Sequence, residues 1–205
     1  MRHLALLLLL GCQAPPEAIL PLPESDSASR AEASVPRQIA KGRIPDVPLV
    51  SHTGQSLHFY TDLVRDRCVV IQFLYTNCES VCPPATARLM ELQSKLPPDV
   101  RLISVTLDPE RDTPTALAAF AERLSCGPQW TFLTGQLEDI ELLRRKLGEQ
   151  FIEDVDPAKP LLHSSLYVLG NDRSGEWRAL SSQLSAERLL SAVETLCASR
   201  PGSGQ

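Results

Sequence analysis

A nearly continuous apolar run leads directly into a pair of cysteines near the middle of the chain. The run from Cys68 to Tyr75 has the composition of a central strand covered on both faces. Cys78 and Cys82 follow it, and then Pro83 begins a Pro-Pro pair of the kind tolerated in the first turn of a helix. The sequence therefore predicts a strand, a short loop with two thiols, and a helix that begins just after Cys82.

The position of the thiol pair favours either redox or metal chemistry. A helix N-terminus exposes unpaired N–H groups and a partial positive charge, which stabilise a thiolate. Three residues separate Cys78 from Cys82, and a loop of this length can close into a disulfide or open to hold a metal between the sulfurs. The polar neighbours Asn77, Glu79 and Ser80 argue against a purely packing role. Both chemistries remain open at this point.

The start of the chain predicts export as a lipoprotein. Residues 1–11 resemble a short lipoprotein-type signal peptide, in which Arg2 supplies the positive start and an apolar run follows. Gly11 and Cys12 then resemble the bacterial lipobox, so cleavage before Cys12 would leave a lipid on its sulfur. We expect a membrane-anchored protein in the periplasm or on the outer side of the cytoplasmic membrane. Gln13 does not match the signal for inner-membrane retention, so the choice of membrane stays open.

Composition divides the remaining chain into three parts. Residues 12–41 are predicted to be the lipidated cysteine and a disordered tether rich in proline, serine and alanine. Residues 42–198 have a globular composition and suffice for one domain, and residues 199–205 are predicted to be a flexible tail. The formal net charge is −5 with no basic block, which argues against nucleic acid as a partner.

Hydrophobic periodicity predicts the other elements of the domain. A hairpin is expected around Gly54, and strands at 100–107 and 130–133 alternate with helices. An antiparallel pair, 166–169 with 176–180, precedes a last helix. This order predicts an α/β fold, a thioredoxin-like three-layer sandwich with an N-terminal β-hairpin and an inserted helix. The thiol loop then falls at the carboxyl ends of the parallel strands, where such folds bind ligands.

Four motifs follow one another along the chain. They are Tyr75-Thr76-Asn77-Cys78-x3-Cys82-Pro83, Asp108-Pro109-Glu110-Arg111-Asp112-Thr113-Pro114, Leu133-Thr134-Gly135 and His163-Ser164-Ser165-Leu166-Tyr167-Val168-Leu169. In this order, over roughly residues 44–196, they resemble the SCO/SenC copper proteins of cytochrome c oxidase assembly. The resemblance implies that Cys78, Cys82 and His163 ligate copper.

The same resemblance implies a function and a set of partners. The domain would be a metallochaperone that delivers copper to the binuclear copper site of cytochrome c oxidase, or that matures this site by keeping its cysteines reduced. Its partners would be the oxidase subunit with that site, an upstream copper donor and a thiol reductant. Thiolates suit Cu(I) and imidazole also accepts Cu(II), so such a site could hold either oxidation state.

Other polar and sulfur residues have less specific predictions. Asp108 could support a copper ligand or face a partner, or it could simply be a turn residue before Pro109. The segment 112–114 has the pattern of a helix cap with proline at the start. Cys68 is expected to pack inside a strand, whereas Cys126 and Cys197 could form a disulfide in an oxidising compartment.

Two further interpretations concern the histidines and the type of protein. His52 and His58 are expected to be exposed residues of the hairpin. The alternative function is a thiol-disulfide reductase, in which one loop cysteine attacks a substrate disulfide and the other resolves the mixed intermediate. A peroxiredoxin is disfavoured, since it needs a threonine three residues before its reactive cysteine and position 79 is Glu.

Overall fold

A mixed β-sheet forms the centre of the protein. The structure, a computed structural model, describes residues 37–38, 44–77, 82–148 and 166–199. The strands are β1 (Arg37–Gln38), β2 (Pro48–Ser51), β3 (Ser56–His58), β4 (Cys68–Leu74), β5 (Val100–Thr106), β6 (Trp130–Gly135), β7 (Leu166–Asn171) and β8 (Glu176–Ser181). The helices are α1 (Phe59–Val64), α2 (Cys82–Gln93), α3 (Pro114–Arg123), α4 (Leu137–Lys146) and α5 (Ala186–Ala198).

Three adjacent parallel strands set the direction of the sheet. In the described residues the strand order is β1-β8-β7-β4-β5-β6-β2-β3, and β4, β5 and β6 are parallel. The strands β7 and β2 flank this group and run antiparallel to it. Leu74 pairs with Thr106, so β4 and β5 end side by side at one edge of the sheet.

Apolar side chains cover both faces of the sheet, which makes the fold three layers thick. Successive strand residues point to opposite faces. Val70 and Leu102 belong to the core beneath α2, α3 and α5, whereas Ile71 and Ile103 belong to the core beneath α1 and α4. The predicted thioredoxin-like three-layer α/β sandwich is confirmed. No helix in the described residues has the length and apolarity needed to cross a bilayer.

The sequence does not predict two short elements, α1 and β1. Phe59, directly after the hairpin, is the first residue of α1, a short helix of π type, and it is fully buried. Arg37 and Gln38, which fall within the predicted tether, pair with Ala179 and Arg178 of β8. A strand of two residues is too short to show a hydrophobic period, so the sequence does not predict β1.

The disulfide joins Cys68 to Cys197, so the expected pairing of Cys126 with Cys197 is wrong. The Cα atoms of the bonded pair lie 5.7 Å apart, which suits a disulfide. Asn171 pairs with Cys68 in the sheet, and its side-chain amide donates a 2.8 Å hydrogen bond to the carbonyl oxygen of Leu196. This contact holds the end of α5 above the start of β4, which brings the two sulfurs together. Cys126 is a half-buried free thiol.

Candidate functional site

The candidate site lies at the sheet edge where the parallel strands end. β4 ends at Leu74, and α2 begins at Cys82 itself, one residue earlier than the sequence predicted. Of the predicted copper ligands, Cys82 is therefore at the first residue of a helix whose N-terminus adjoins this edge. Cys78 and His163 lie outside the described residues, as does Cys12.

Buried contacts fix α2 on the sheet. Pro83 and Pro84 are exposed, whereas Ala85 and Thr86 are buried. The side-chain amide of Gln72, in the middle of β4, approaches the Thr86 hydroxyl at 3.4 Å. The same amide donates a 3.1 Å bond to the Ser104 hydroxyl of β5. Because buried polar groups need hydrogen-bond partners, this arrangement favours one position of the helix over the sheet.

A second buried contact joins α2 to β7. The Tyr167 hydroxyl donates a 2.7 Å hydrogen bond to the carbonyl oxygen of Ala85. Ala85 lies three positions after Cys82, and Tyr167 lies four positions after His163. The contact therefore connects the first turn of the cysteine helix with the strand that follows the predicted histidine ligand.

Asp112 anchors the residues that lead into the thiol loop. It is buried, at 1% exposure, although the sequence treats its segment only as a helix cap. Its carboxylate accepts hydrogen bonds from the Thr76 amide at 3.1 Å, from the Thr76 hydroxyl at 2.5 Å and from the Thr106 hydroxyl at 2.6 Å. Thr76 follows β4 and Thr106 ends β5, so one carboxylate holds two strand ends together.

Thr113, not Asp112, is the residue of the segment 112–114 that caps α3. Thr113 is the N-cap of α3, where its hydroxyl accepts a 3.3 Å hydrogen bond from the Ala116 amide, and Pro114 starts the helix. The expected cap with proline at the start is thus found, while Asp112 points elsewhere. The only sequence signal for its anchoring role was the presence of threonine after one predicted strand and at the end of the next.

Asp108 has the geometry of a turn residue. Its carbonyl oxygen accepts the Asp112 amide at 2.8 Å, and its own amide donates to the Thr106 hydroxyl at 3.0 Å. Its carboxylate lies 3.4 Å from the guanidinium of the exposed Arg111. The side chain of Asp108 is 31% exposed. The ion pair with Arg111 is of the weak surface kind and leaves the Asp108 carboxylate partly exposed to solvent.

The two histidines in the described residues, His52 and His58, lie away from this edge. His58 is exposed, as expected, and its ring contacts the carbonyl oxygen of Asp46. His52 is half-buried rather than exposed, since its Nδ1 accepts the Phe132 amide at 3.3 Å and its ring packs edge-on against Phe132. His52 and Cys126 line a cleft near the amino end of β6, at the opposite end of the parallel strands.

Cys82 is the one predicted copper ligand that falls within the described residues. Within residues 37–38, 44–77, 82–148 and 166–199, no three side chains of histidine, cysteine, aspartate or glutamate come together as a metal site. Two of the three predicted ligands fall outside these ranges. The donor types of the predicted set, two thiolates and one imidazole, fit a copper ion of either charge.

The fold and the cysteine position define a thioredoxin-like α/β protein with a thiol at the start of the helix that follows its central strand. Comparison with known proteins gives the family. Residues 44–198, well over half of the chain, match the SCO1/SenC family model. The chain therefore belongs to the SCO1/SenC family.

Curated relatives agree with this assignment. The chain is 39% identical over 106 residues to the SCO1 protein homolog of Bacillus subtilis, and the match covers 49% of this chain and 55% of that relative. It is 30% identical over 159 residues to a Stutzerimonas stutzeri relative described as copper-binding, covering 74% of this chain and 72% of the relative. The match thus spans little more than half the length of the Bacillus subtilis protein.

Solved structures share the fold. A SCO1/SenC family lipoprotein from Bacillus anthracis is 25% identical with a TM-score of 0.60, covering 73% of this chain and 92% of the other. BsSco, a Sco protein with a disulfide switch, is 27% identical with a TM-score of 0.59, covering 75% and 92%. Yeast Sco1 with copper bound is 21% identical with a TM-score of 0.60, covering 78% and 91%, and shows likeness of fold alone.

Proposed function

We propose that this protein is a copper metallochaperone that binds one copper ion between Cys78, Cys82 and His163 and delivers it to the binuclear copper site of cytochrome c oxidase. Support comes from the place of Cys82 at the start of α2, on the edge where β4 ends. The Tyr167–Ala85 hydrogen bond adds to it, because it joins the helix of one proposed ligand to the strand that follows another.

The proposed ligands suit a cargo that must be released. Two soft thiolates bind Cu(I) well, and an imidazole nitrogen widens the range to Cu(II). Three protein ligands leave a coordination position open, so a thiol of the partner could enter and the copper could pass by ligand exchange. Asp108, half-exposed on the same edge, is proposed to face that partner.

Relatives support copper as the cargo and the oxidase as the recipient. A Stutzerimonas stutzeri relative is described as copper-binding. BsSco is described as a member of the Sco family of cytochrome c oxidase assembly proteins. The partners proposed for this chain are accordingly the oxidase subunit with the copper site, a copper donor and a thiol reductant.

A thiol-disulfide reductase is the second candidate. A thiol at the first residue of a helix favours the thiolate, which is the attacking form in disulfide exchange. A disulfide switch has been identified in the relative BsSco. Under this alternative, Cys78 and Cys82 act as the redox pair and His163 is dispensable.

Anaerobic titration with Cu(I) and Cu(II) separates the two candidates. We expect one copper per chain when the loop thiols are reduced, and loss of binding in Cys78→Ser and Cys82→Ser. Removing a residue that merely orients a metal ligand costs about 10–100-fold in affinity, so His163→Ala should cost more than about 100-fold. The matched control His58→Ala removes an exposed hairpin imidazole and should leave the affinity unchanged.

Two results would reject the metallochaperone. One is an unchanged copper affinity in His163→Ala. The other is the absence of stoichiometric copper binding together with rapid reduction of insulin by the wild-type protein, which Cys78→Ser and Cys82→Ser abolish. The second result would establish the reductase instead.

We also propose that Cys12 carries a lipid that anchors the protein outside the cytoplasm. A structural relative from Bacillus anthracis is a lipoprotein, and the Cys68–Cys197 disulfide suits an oxidising compartment. Mass spectrometry of the membrane fraction should find a diacylglyceryl group on Cys12. Cys12→Ala should release the protein from membranes, and its continued retention would contradict the anchor.

A further inference from the structure

Asp112 is a buried carboxylate beside the thiol loop that neither copper binding nor disulfide exchange, as proposed above, makes use of. We propose that Asp112 is a positioning residue, which holds the approach to the loop through Thr76 and so determines how Cys78 and Cys82 bind copper or exchange disulfides. This role rests on the proposed function of the loop, although its effect on the thiols can be measured without copper.

Both oxygens of the Asp112 carboxylate are engaged. Oδ1 accepts from the Thr76 hydroxyl, and Oδ2 accepts from the Thr76 amide and from the Thr106 hydroxyl. A carboxylate offers about four acceptor sites, and these donors use three of them. Hydrogen bonds to an ionised group are stronger than those between neutral groups. The carboxylate is therefore oriented toward the two strand ends as an anchor.

The Thr106 hydroxyl extends the anchor to Asp108. It accepts the Asp108 amide at 3.0 Å and donates to Asp112 at 2.6 Å. The Asp108 carbonyl oxygen accepts the Asp112 amide at 2.8 Å, which closes the turn between β5 and α3. Asp112 therefore holds both Thr76, which precedes the thiol loop, and the turn that contains Asp108.

The anchored residue is close to the chemistry along the chain. Thr76 lies two positions before Cys78. The hydrogen bonds from its amide and its hydroxyl restrict the backbone at Thr76, so the chain enters the loop that contains Cys78 from a fixed position. Metal binding and disulfide closure both require the two sulfurs at set distances. Loss of the anchor should therefore change both equilibria.

The test uses Asp112→Asn in the full-length protein. Asparagine has nearly the same size, but its amide nitrogen cannot accept a hydrogen bond, so at least one threonine donor loses its acceptor. Two quantities are measured: the Cu(I) dissociation constant, and the equilibrium between the copper-free Cys78/Cys82 pair and a glutathione buffer. The dissociation constant should shift by about 10–100-fold, the range found for residues that orient metal ligands. The glutathione equilibrium should shift by more than about twofold, the limit set for the control.

Thr113→Ala is the matched control. It changes the neighbouring residue and removes the cap of α3 without touching Thr76. It should lower the urea midpoint but leave both equilibria within about twofold of wild type, because a cap contributes to helix stability and not to loop position. If Asp112→Asn lowers the urea midpoint while both equilibria stay within that limit, or if Thr113→Ala shifts them equally, the positioning role is wrong.

Thr76→Val keeps the test decisive if Asp112→Asn does not fold. It removes one hydroxyl donor and leaves the Thr106–Asp112 bond in place. A smaller shift of the thiol equilibrium in the same protein would support the role, and no shift would overturn it. Should wild-type protein bind no copper, the metallochaperone proposal fails, while the glutathione measurement still decides the role of Asp112.

Discussion

Tyr167 on β7 and Ala85 on α2 are joined by a 2.7 Å hydrogen bond that spans 82 positions of the chain. The Tyr167 side chain is fully buried, and burial raises its pKa above the ordinary value. It therefore remains a protonated donor throughout the physiological pH range. The bond fixes the first turn of α2 relative to the strand that enters the sheet after His163.

Tyr167→Phe removes this donor while keeping the ring. We expect the free energy of unfolding to fall by about 1 kcal/mol, the usual net contribution of a buried hydrogen bond. Urea denaturation followed by circular dichroism measures it. Tyr60→Phe is the matched control, because its half-buried hydroxyl makes a longer bond of 3.3 Å to Asp172. Equal losses in the two variants would show that the Ala85 contact has no special role.

Loss of the Cys68–Cys197 disulfide should destabilise the protein strongly. The bond closes a loop with a sequence separation of 129, and removing a native disulfide typically costs about 2–5 kcal/mol. Urea denaturation of Cys197→Ser should show a loss in this range. Cys126→Ser changes a free thiol and serves as the control. Peptide mapping without reductant should recover the Cys68 and Cys197 peptides as one species, and a Cys126–Cys197 species would contradict the structure.

Cys126 should react slowly with alkylating reagents. Burial disfavours its thiolate and raises its pKa from 9.0 to about 11. At pH 7.5 the thiolate fraction is then about 100-fold lower than for an ordinary thiol, since each pKa unit is a factor of ten. Peptide-resolved mass spectrometry should find Cys126 alkylated about 100-fold more slowly in native protein than in urea. Similar rates in both conditions would refute this environment.

Gly170 leaves room for an aromatic ring across the sheet. It pairs with Trp177 of β8, and a Cβ atom on Gly170 would lie 2.3 Å from that ring. Gly170→Ala should therefore lower the free energy of unfolding by about 1–3 kcal/mol, the cost of overpacking. Gly127→Ala is the control, because its Cβ would meet only Gln93 Oε1 at 3.6 Å. A Gly170→Ala protein as stable as wild type would show that the ring moves aside freely.

The parts of this fold that the sequence predicts correctly are those marked by local sequence patterns. The run from Cys68 to Tyr75 predicted the central strand because a strand covered on both faces needs apolar residues throughout. The prolines after Cys82 predict the helix that follows, and the segment 112–114 predicts the cap of α3. Local rules of this kind require only neighbours along the chain.

The missed features depend on residues that are far apart in sequence. Cys68 meets Cys197 because Asn171 secures the end of α5, a long-range relation without a local pattern. The sequence places Asp112 in a helix cap, because aspartate commonly occurs there, whereas its partners are Thr76 and Thr106. The predicted ligands Cys78 and His163 lie outside the described residues, so the copper site stays a prediction.

Under the proposed function, the Cys68–Cys197 disulfide is a second pair of sulfurs, which must stay oxidised while the loop pair is reduced. Thiol exchange depends on access of the attacking sulfur. Cys68 is 2% exposed and sits at the far end of the same strand that leads to the loop. A reductant that acts on the loop thiols, as the proposed function requires, would find Cys68 buried and could reach this disulfide only at the partly buried Cys197, which restricts attack on the crosslink to one of its two sulfurs.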